Sequence, residues 1–156
     1  MREMRRNKQI LSNEESIKIL ERNTAGVLAL LGDKDYPYAV PLSYVYIDNK
    51  IYFHSAVEGH KVDAIRNHEK ASFCVIDADN VVPEKFTSLY KSAIAFGKVS
   101  IVPDEEKLDA IKLLSDKYSP QFREQCLKEI EDTFNRFLII KLEIEHLSGK
   151  QCIELV

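Results

Sequence analysis

Cysteine is scarce in this sequence, and the little there is has no pattern. Cys74, Cys126 and Cys152 are far apart, odd in number and without a C-x-x-C spacing. That argues against a disulfide framework and against a zinc knuckle. Reduced thiols in a cytoplasmic setting fit best, each serving as a small apolar filler. His54, His60, His68 and His146 show no ligand spacing either, so no metal site is expected. No apolar run approaches the ~20 residues that cross a bilayer. The opening MREMRRNKQI lacks the hydrophobic segment of a secretory signal. Excess positive charge is also missing: the net charge is -3 and the pI is near 5.8. A nucleic-acid-binding domain would show a basic face; Arg2, Arg5, Arg6 and Lys8 are a small, solvated exception. No repeat, low-complexity tract or interdomain linker interrupts the chain.

What is present is an ordinary globular composition, 45% apolar and 30% charged over 156 residues. The length suits one domain, residues 1–156, and a chain near this size hides roughly 70% of its unfolded surface. Ser12 and Glu15 make a capping box at the head of a helix over 13–22. AGVLALL (25–31) reads as a strand closed by the turn Gly32-Asp33-Lys34-Asp35. Residues 37–47 read as one long strand, which Pro41 demotes to an edge, a bulge or a bend. A hairpin turn at Asp48-Asn49-Lys50 leads to a return strand, 51–54. A helix follows over 60–67. Strands are expected over 71–82 and 88–102, the second with Tyr90, Ser92, Ile94 and Phe96 on one face. Pro103-Asp104-Glu105-Glu106 starts a helix with an apolar stripe of Leu108, Ile111 and Leu113 or Leu114. Beyond Pro120, Phe122, Cys126, Ile130 and Phe134 recur every four residues, the pattern of a buried stripe. FLIIKLEI (137–144) is a strong strand, Gly149-Lys150 reads as a turn, and 151–156 reads as a short last strand.

This order is mostly hairpins with inserted helices, not a βαβ alternation. Antiparallel strands that must hide their edges tend to close into a barrel, so a small barrel with peripheral helices is the natural architecture.

The most informative stretch is HSAVEGHK (54–61), a loop between a strand and a helix. A hydroxyl at Ser55, backbone N–H groups at a helix start and Lys61 in the first turn could form a phosphate cradle; the alternative is an ordinary strand–loop–helix connection with solvated polar residues. Helix N-termini carry unpaired donors and partial positive charge. A lysine early in a helix is electrostatically disfavoured, and a bound phosphate reverses that preference.

With these residues in view, the chain resembles the pyridoxamine 5'-phosphate oxidase-like split-barrel flavin proteins, and within them the nitroimidazole-resistance (Nim) group. The resemblance is carried by PYAVPLSYVY (37–46), IYFHSAVEGHKVDAIRNH (51–68), YKSAIAFGKV (90–99) and SGK (148–150), in the family's order. It implies a six-stranded antiparallel split barrel, mainly β with peripheral helices. It also implies a homodimer with FMN in clefts between the subunits. By this likeness Val40, Pro41, Leu42 and Ser43 line the isoalloxazine ring. His54 and Ser55 lie beside the flavin, and His60 and Lys61 belong to the phosphate end. Tyr90 and Ser92 reach the cofactor from a neighbouring strand, in cis or across the dimer. The oxidases of the wider family carry Arg and Lys where this chain has Tyr38 and Ser43. Their C-terminal substrate-binding segment has no counterpart here, so pyridoxamine-phosphate oxidase activity is not implied.

The resulting expectation is an FMN-dependent oxidoreductase. It passes electrons from a nicotinamide or another donor to a small acceptor, with nitro compounds implied by likeness only. His54 is the candidate catalytic residue, as an acid or base near neutral pH. The alternative is a non-catalytic store or sensor of the same fold, holding flavin or haem. Neither a nucleic-acid partner nor a membrane partner is expected.

Overall fold

The computed structural model describes residues 3–156. Arg2 of the basic N-terminal cluster lies outside the described residues. Eight strands form one sheet, antiparallel at every pairing. They are β1 (Ile10–Leu11), β2 (Ala25–Leu31), β3 (Pro37–Ser43), β4 (Val45–Ile47), β5 (Lys50–Ala56), β6 (Lys70–Val82), β7 (Thr87–Ile101) and β8 (Phe137–Gln151). The helices are α1 (Asn13–Arg22), α2 (His60–Asn67), α3 (Asp104–Tyr118) and α4 (Arg123–Thr133).

The sheet order is β3-β2-β6-β7-β8-β5-β4, with β1 paired to β8. Its two ends, β3 and β4, are consecutive in the chain and separated by Tyr44 alone. The sheet therefore curls until its edges meet at one residue. This is a split barrel of six long strands when β3 and β4 are counted as one. The strand expected over 37–47 thus breaks at Tyr44, its first part pairing with β2 and its second with β5. Tyr44 causes the break. Its side chain is fully buried, and its hydroxyl donates to the Leu20 carbonyl at 2.7 Å. Its backbone N–H donates to the Tyr118 hydroxyl at 2.9 Å instead of to a strand. Pro41 sits on β3, whose one ladder is with β2, so its missing N–H is tolerated at that edge.

Local chemistry sets the other boundaries. Ser12 Oγ accepts the Glu15 N–H at 3.1 Å and the Glu15 carboxylate accepts the Ser12 N–H at 3.3 Å. Such a cap is worth about 1 kcal/mol to α1. Asp48 and Asn49 both adopt positive φ, +46° and +63°, the conformation a two-residue hairpin needs, and β5 begins at Lys50.

Two cores flank the β5–β8 wall. The barrel interior holds Leu28, Tyr44, Phe53, Phe73, Ile140 and Leu142, closed by Ile19 and Leu20 of α1. The second lies under α3 and α4 and holds Tyr52, Val102, Ala110, Leu114, Ile130, Phe137 and Ile139. β8 is thus buried on both faces in its first half, which is why FLIIKLEI is nearly continuous in apolar residues. Burying one such side chain contributes roughly 1.5–3 kcal/mol.

Both helical stripes hold in part: Leu114 and Ile130 are buried and Ile111, Leu113 and Phe134 pack on the second core, whereas Leu108 and Phe122 do not. On α3 the buried positions are Lys107, Ala110 and Leu114, while Leu108 is exposed. The aliphatic stem of a lysine fills a core position there. On α4 only Ile130 is buried; Phe122 is 58% exposed, because α4 covers the second core by its C-terminal half. The last strand expected over 151–156 is also absent. β8 runs through Gly149 and Lys150 to Gln151, and a single 3-10 turn follows at Ile153–Leu155. Gly149 is needed for close packing, since a Cβ there would overlap Ser16 of α1.

Candidate functional site

β5 ends at Ala56 and the chain swings through Val57-Glu58-Gly59 into α2. Gly59 has φ +124°, a conformation that favours glycine, and a Cβ there would meet nothing within 4 Å. The first helical bonds run from the Val62 and Asp63 amides to the Gly59 carbonyl, at 2.9 and 3.1 Å. The amides of His60 and Lys61 precede those bonds, and no side chain caps the helix. Val62, Ala64 and Ile65 fix α2 to the barrel. Lys61 is half-buried, and burial holds its ammonium below the usual lysine range. Among the described residues no carboxylate lies within 4 Å of it. A lysine kept partly dry, with no anion, beside an open glycine and two uncommitted amides suits a phosphate.

Strand alternation separates His54 from Ser55. Ser55 lies on the side of Phe53, buried, with its hydroxyl donating to the Ala56 carbonyl at 3.0 Å. His54 lies on the side of Tyr52, facing α3 and α4. Its ring centroid is 5.1 Å from that of Phe137. Burial, together with the positive charges of Lys61 and Lys107, pushes the imidazole below the ordinary histidine range. That favours the neutral ring, which accepts a proton at one nitrogen and donates from the other.

His54 borders an apolar cleft of about 410 Å3 between the β5–β8 wall and α3–α4. Leu42 and Ser43 of β3 line the same cleft, with Leu114, Ile130 and Phe137 opposite. Along β3, Tyr38, Val40 and Leu42 are the half-buried positions packed on the barrel core, whereas Pro37, Ala39, Pro41 and Ser43 are exposed. The structure thus gathers Leu42, Ser43 and His54 at one cleft, and places Lys61 near enough to His54 to act on its charge.

It gives other residues different surroundings. His60 Nε2 accepts the Asp33 N–H at 3.1 Å, and its ring stacks on Tyr38 at 4.1 Å. Its bonding pins α2 to the β2–β3 turn. Tyr90 and Ser92 stand at the far end of the sheet. The β8 partner of His54 is Ile139 and that of Ser92 is Lys150. At about 3.3 Å per residue the two sites are roughly 36 Å apart along β8. One copy of the chain does not bring Ser92 and His54 together.

The sequence reading did not single out three residues that shape the cleft. Tyr118, from the last turn of α3, lines it and holds the β3–β4 joint. Its hydroxyl accepts the Tyr44 N–H and donates to a nearby carbonyl, that of Tyr44 at 2.8 Å or that of Thr24. Lys107, 4% exposed, donates to the Phe134 carbonyl. Its ammonium lies 4.2 and 4.3 Å from the ring centroids of Phe134 and Phe137. Phe137 is the third. Lys107 lies three and seven residues before Ala110 and Leu114, and that spacing was the available signal.

Residues 12–151 match the family described as Pyridoxamine 5'-phosphate oxidase. Comparison with curated protein sequences finds no match. Among solved structures, a candidate 5-nitroimidazole antibiotic resistance protein from Bacteroides thetaiotaomicron superposes with a TM-score of 0.77 at 19% identity. It covers 91% of this chain and 86% of that one. An FAD-binding protein from Mesorhizobium loti gives 0.64 at 25% identity, covering 92% and 97%. The FAD and heme binding protein from Mycobacterium smegmatis gives 0.78 at 21% identity, covering 94% and 74%. These likenesses agree with the barrel derived above, and the match over residues 12–151 places the chain in the pyridoxamine 5'-phosphate oxidase family.

Proposed function

We propose that this protein is an FMN-dependent oxidoreductase. It acts in the cytoplasm as a homodimer, reducing a small acceptor, with nitro compounds among the candidates, by electrons from a nicotinamide or another donor. The observation that carries the reading is Lys61: a partly buried ammonium with no anionic partner, in the first turn of an uncapped helix beside Gly59. Flavin supplies the electron transfer when bound. Lys61 and the first amides of α2 hold its phosphate; Val40, Pro41, Leu42 and Ser43, on the exposed β3 edge, present backbone and small side chains to the ring. Ser55, buried with its hydroxyl on the Ala56 carbonyl, shapes the strand end that leads to the phosphate site, and His60 keeps α2 in register through Asp33 and Tyr38. His54 accepts or donates one proton at a ring nitrogen as the acceptor is reduced.

The dimer reading has its own support. On the outer face of the sheet, Val27 pairs with Cys74 and Cys74 with Ile94, and Ile76 stands beside Ser92. Val27 is 37% and Ile76 65% exposed. A second copy packed on this face would cover apolar surface and carry its Tyr90 and Ser92 towards the His54 end of the first. The absorbance of the freshly purified protein is the first test, followed by turnover with NADH or NADPH and a panel of acceptors. A bound flavin with acceptor-dependent turnover is expected; a colourless protein that takes up no added FMN would overturn the reading. An imidazole bordering an apolar cleft also suits iron, which favours haem as the second reading, and a Soret band would reveal it.

A further inference from the structure

Lys107 is the one lysine or arginine that is buried among the described residues; the half-buried Lys117 likewise meets a carbonyl and two rings, those of Tyr44 and Tyr118. Arg22, Lys70 and Lys98 have carboxylate partners, and so does the half-buried Lys141, with Glu106 at 3.1 Å and Glu143 at 3.2 Å. Lys107 is more buried than any of them. Glu106, its neighbour on α3, turns instead to Lys141 and to the Tyr52 hydroxyl at 2.7 Å. Lys107 is left with one carbonyl and two aromatic faces, and no carboxylate within 4 Å among the described residues. Buried charges are generally paired, because their desolvation is only partly offset by dipoles and rings. One of those rings, Phe137, is also a wall of the 410 Å3 cleft and neighbours His54.

The cleft thus combines three properties. Its volume lies in the range of small-molecule sites, roughly 300–1,000 Å3. Leu42, Ile111, Leu114, Ile130 and Phe137 make its lining mostly apolar. A buried positive charge with no carboxylate partner among the described residues, Lys107, stands behind one wall, on the ring of Phe137. The lone carboxylate in the lining, Glu129, is on the exposed side of α4, where water screens it. We propose that the cleft between α3–α4 and the β5–β8 wall binds a small planar aromatic acid, its ring between the aliphatic walls and its carboxylate at the His54–Phe137 end under the field of Lys107. This rests on the flavin reading only in naming the substrate class; the binding itself requires no flavin.

The test titrates benzoate and benzyl alcohol, the same ring with and without the charge, into protein carrying 13C-labelled Ile, Leu and Val methyl groups, with and without FMN. Benzoate is expected to bind at least tenfold tighter, the scale of one charge-assisted contact. It should shift the methyls of Ile111, Leu114 and Ile130 in both forms. Lys107→Met, which keeps the buried stem, should bring the two ligands within about threefold of each other. Cys126→Trp, which fills the cleft from α4, should abolish the shifts while FMN still binds. Equal affinity for the two ligands, shifts that map elsewhere, displacement of FMN by benzoate, or undiminished binding to Cys126→Trp would each overturn the proposal. Failure of FMN to bind while benzoate still fills the cleft would instead remove the flavin reading and leave this one standing.

Discussion

Lys61 and Lys107 occupy similar places in sequence, each near the start of a helix, and among the described residues neither has a carboxylate within 4 Å. The fold treats them in opposite ways. Lys61 is half-buried, with no carboxylate within 4 Å among the described residues, and a Cβ on the nearby Gly59 would meet nothing within 4 Å. Lys107 is 4% exposed, its stem in the second core and its ammonium between Phe134 and Phe137. A cation at a helix start is unfavourable in both cases. One position is left for a ligand to complete, and the other is largely completed by the fold. What packs over a residue, rather than its type or place in a helix, decides between those outcomes.

Truncating each lysine should break the symmetry of the pair, and the largest effect is expected at Lys107. Lys107→Ala removes a buried stem and a desolvated cation–π contact and should lower unfolding stability by about 2–4 kcal/mol. Urea unfolding measures it. Lys61→Ala should change the stability of the flavin-free protein by less than about 0.5 kcal/mol. It should weaken FMN binding by about 1.5–3 kcal/mol, roughly ten- to a hundred-fold. A collapse of stability on Lys61→Ala would make both lysines structural.

The loop and helix that carry the proposed phosphate site were readable because they are local. HSAVEGHK puts a hydroxyl, a glycine and a lysine within eight residues, and the expected α2, 60–67, is the one observed. The cleft was not readable, because its walls come from β3, β5, α3, α4 and the start of β8. Periodicity assigned Leu108 and Phe122 to the core on hydrophobicity alone, and passed over Lys107 because its buried part is a hydrocarbon stem. The break at Tyr44 was hidden for a similar reason. Val45 and Tyr46 continue the β pattern, and only Tyr118, distant in sequence, reveals that the Tyr44 amide has left the ladder.

Tyr118→Phe sharpens the comparison from the side of the fold. It leaves the Tyr44 N–H without its acceptor and should cost about 1–2 kcal/mol. Because Tyr118 also lines the cleft beside Ser43, it should disturb ligands there more than phosphate binding at Lys61. Weaker benzoate binding in the cleft with FMN affinity unchanged would be the signature.

His54 lies between the two lysines and should report on both. His54→Ala is expected to change the rates of flavin reduction and reoxidation more than FMN affinity, as stopped-flow and titration would show. The smallest effect concerns pH. His54 binds its proton less readily folded than unfolded, so its contribution to stability is present above about pH 6.5. That contribution is lost as pH falls further towards the depressed folded value. A slight decline in stability below pH 6.5 should therefore flatten in His54→Gln.

The claim that Lys61 and the head of α2 form a phosphate site is tested most directly by titrating FMN and riboflavin against both the parent protein and Lys61→Ala. The two ligands differ only in the phosphate, so their ratio isolates its contribution. The account predicts at least a tenfold preference for FMN in the parent and its near disappearance in Lys61→Ala, with riboflavin affinity unchanged. No preference in the parent, or the same preference in the variant, would contradict it.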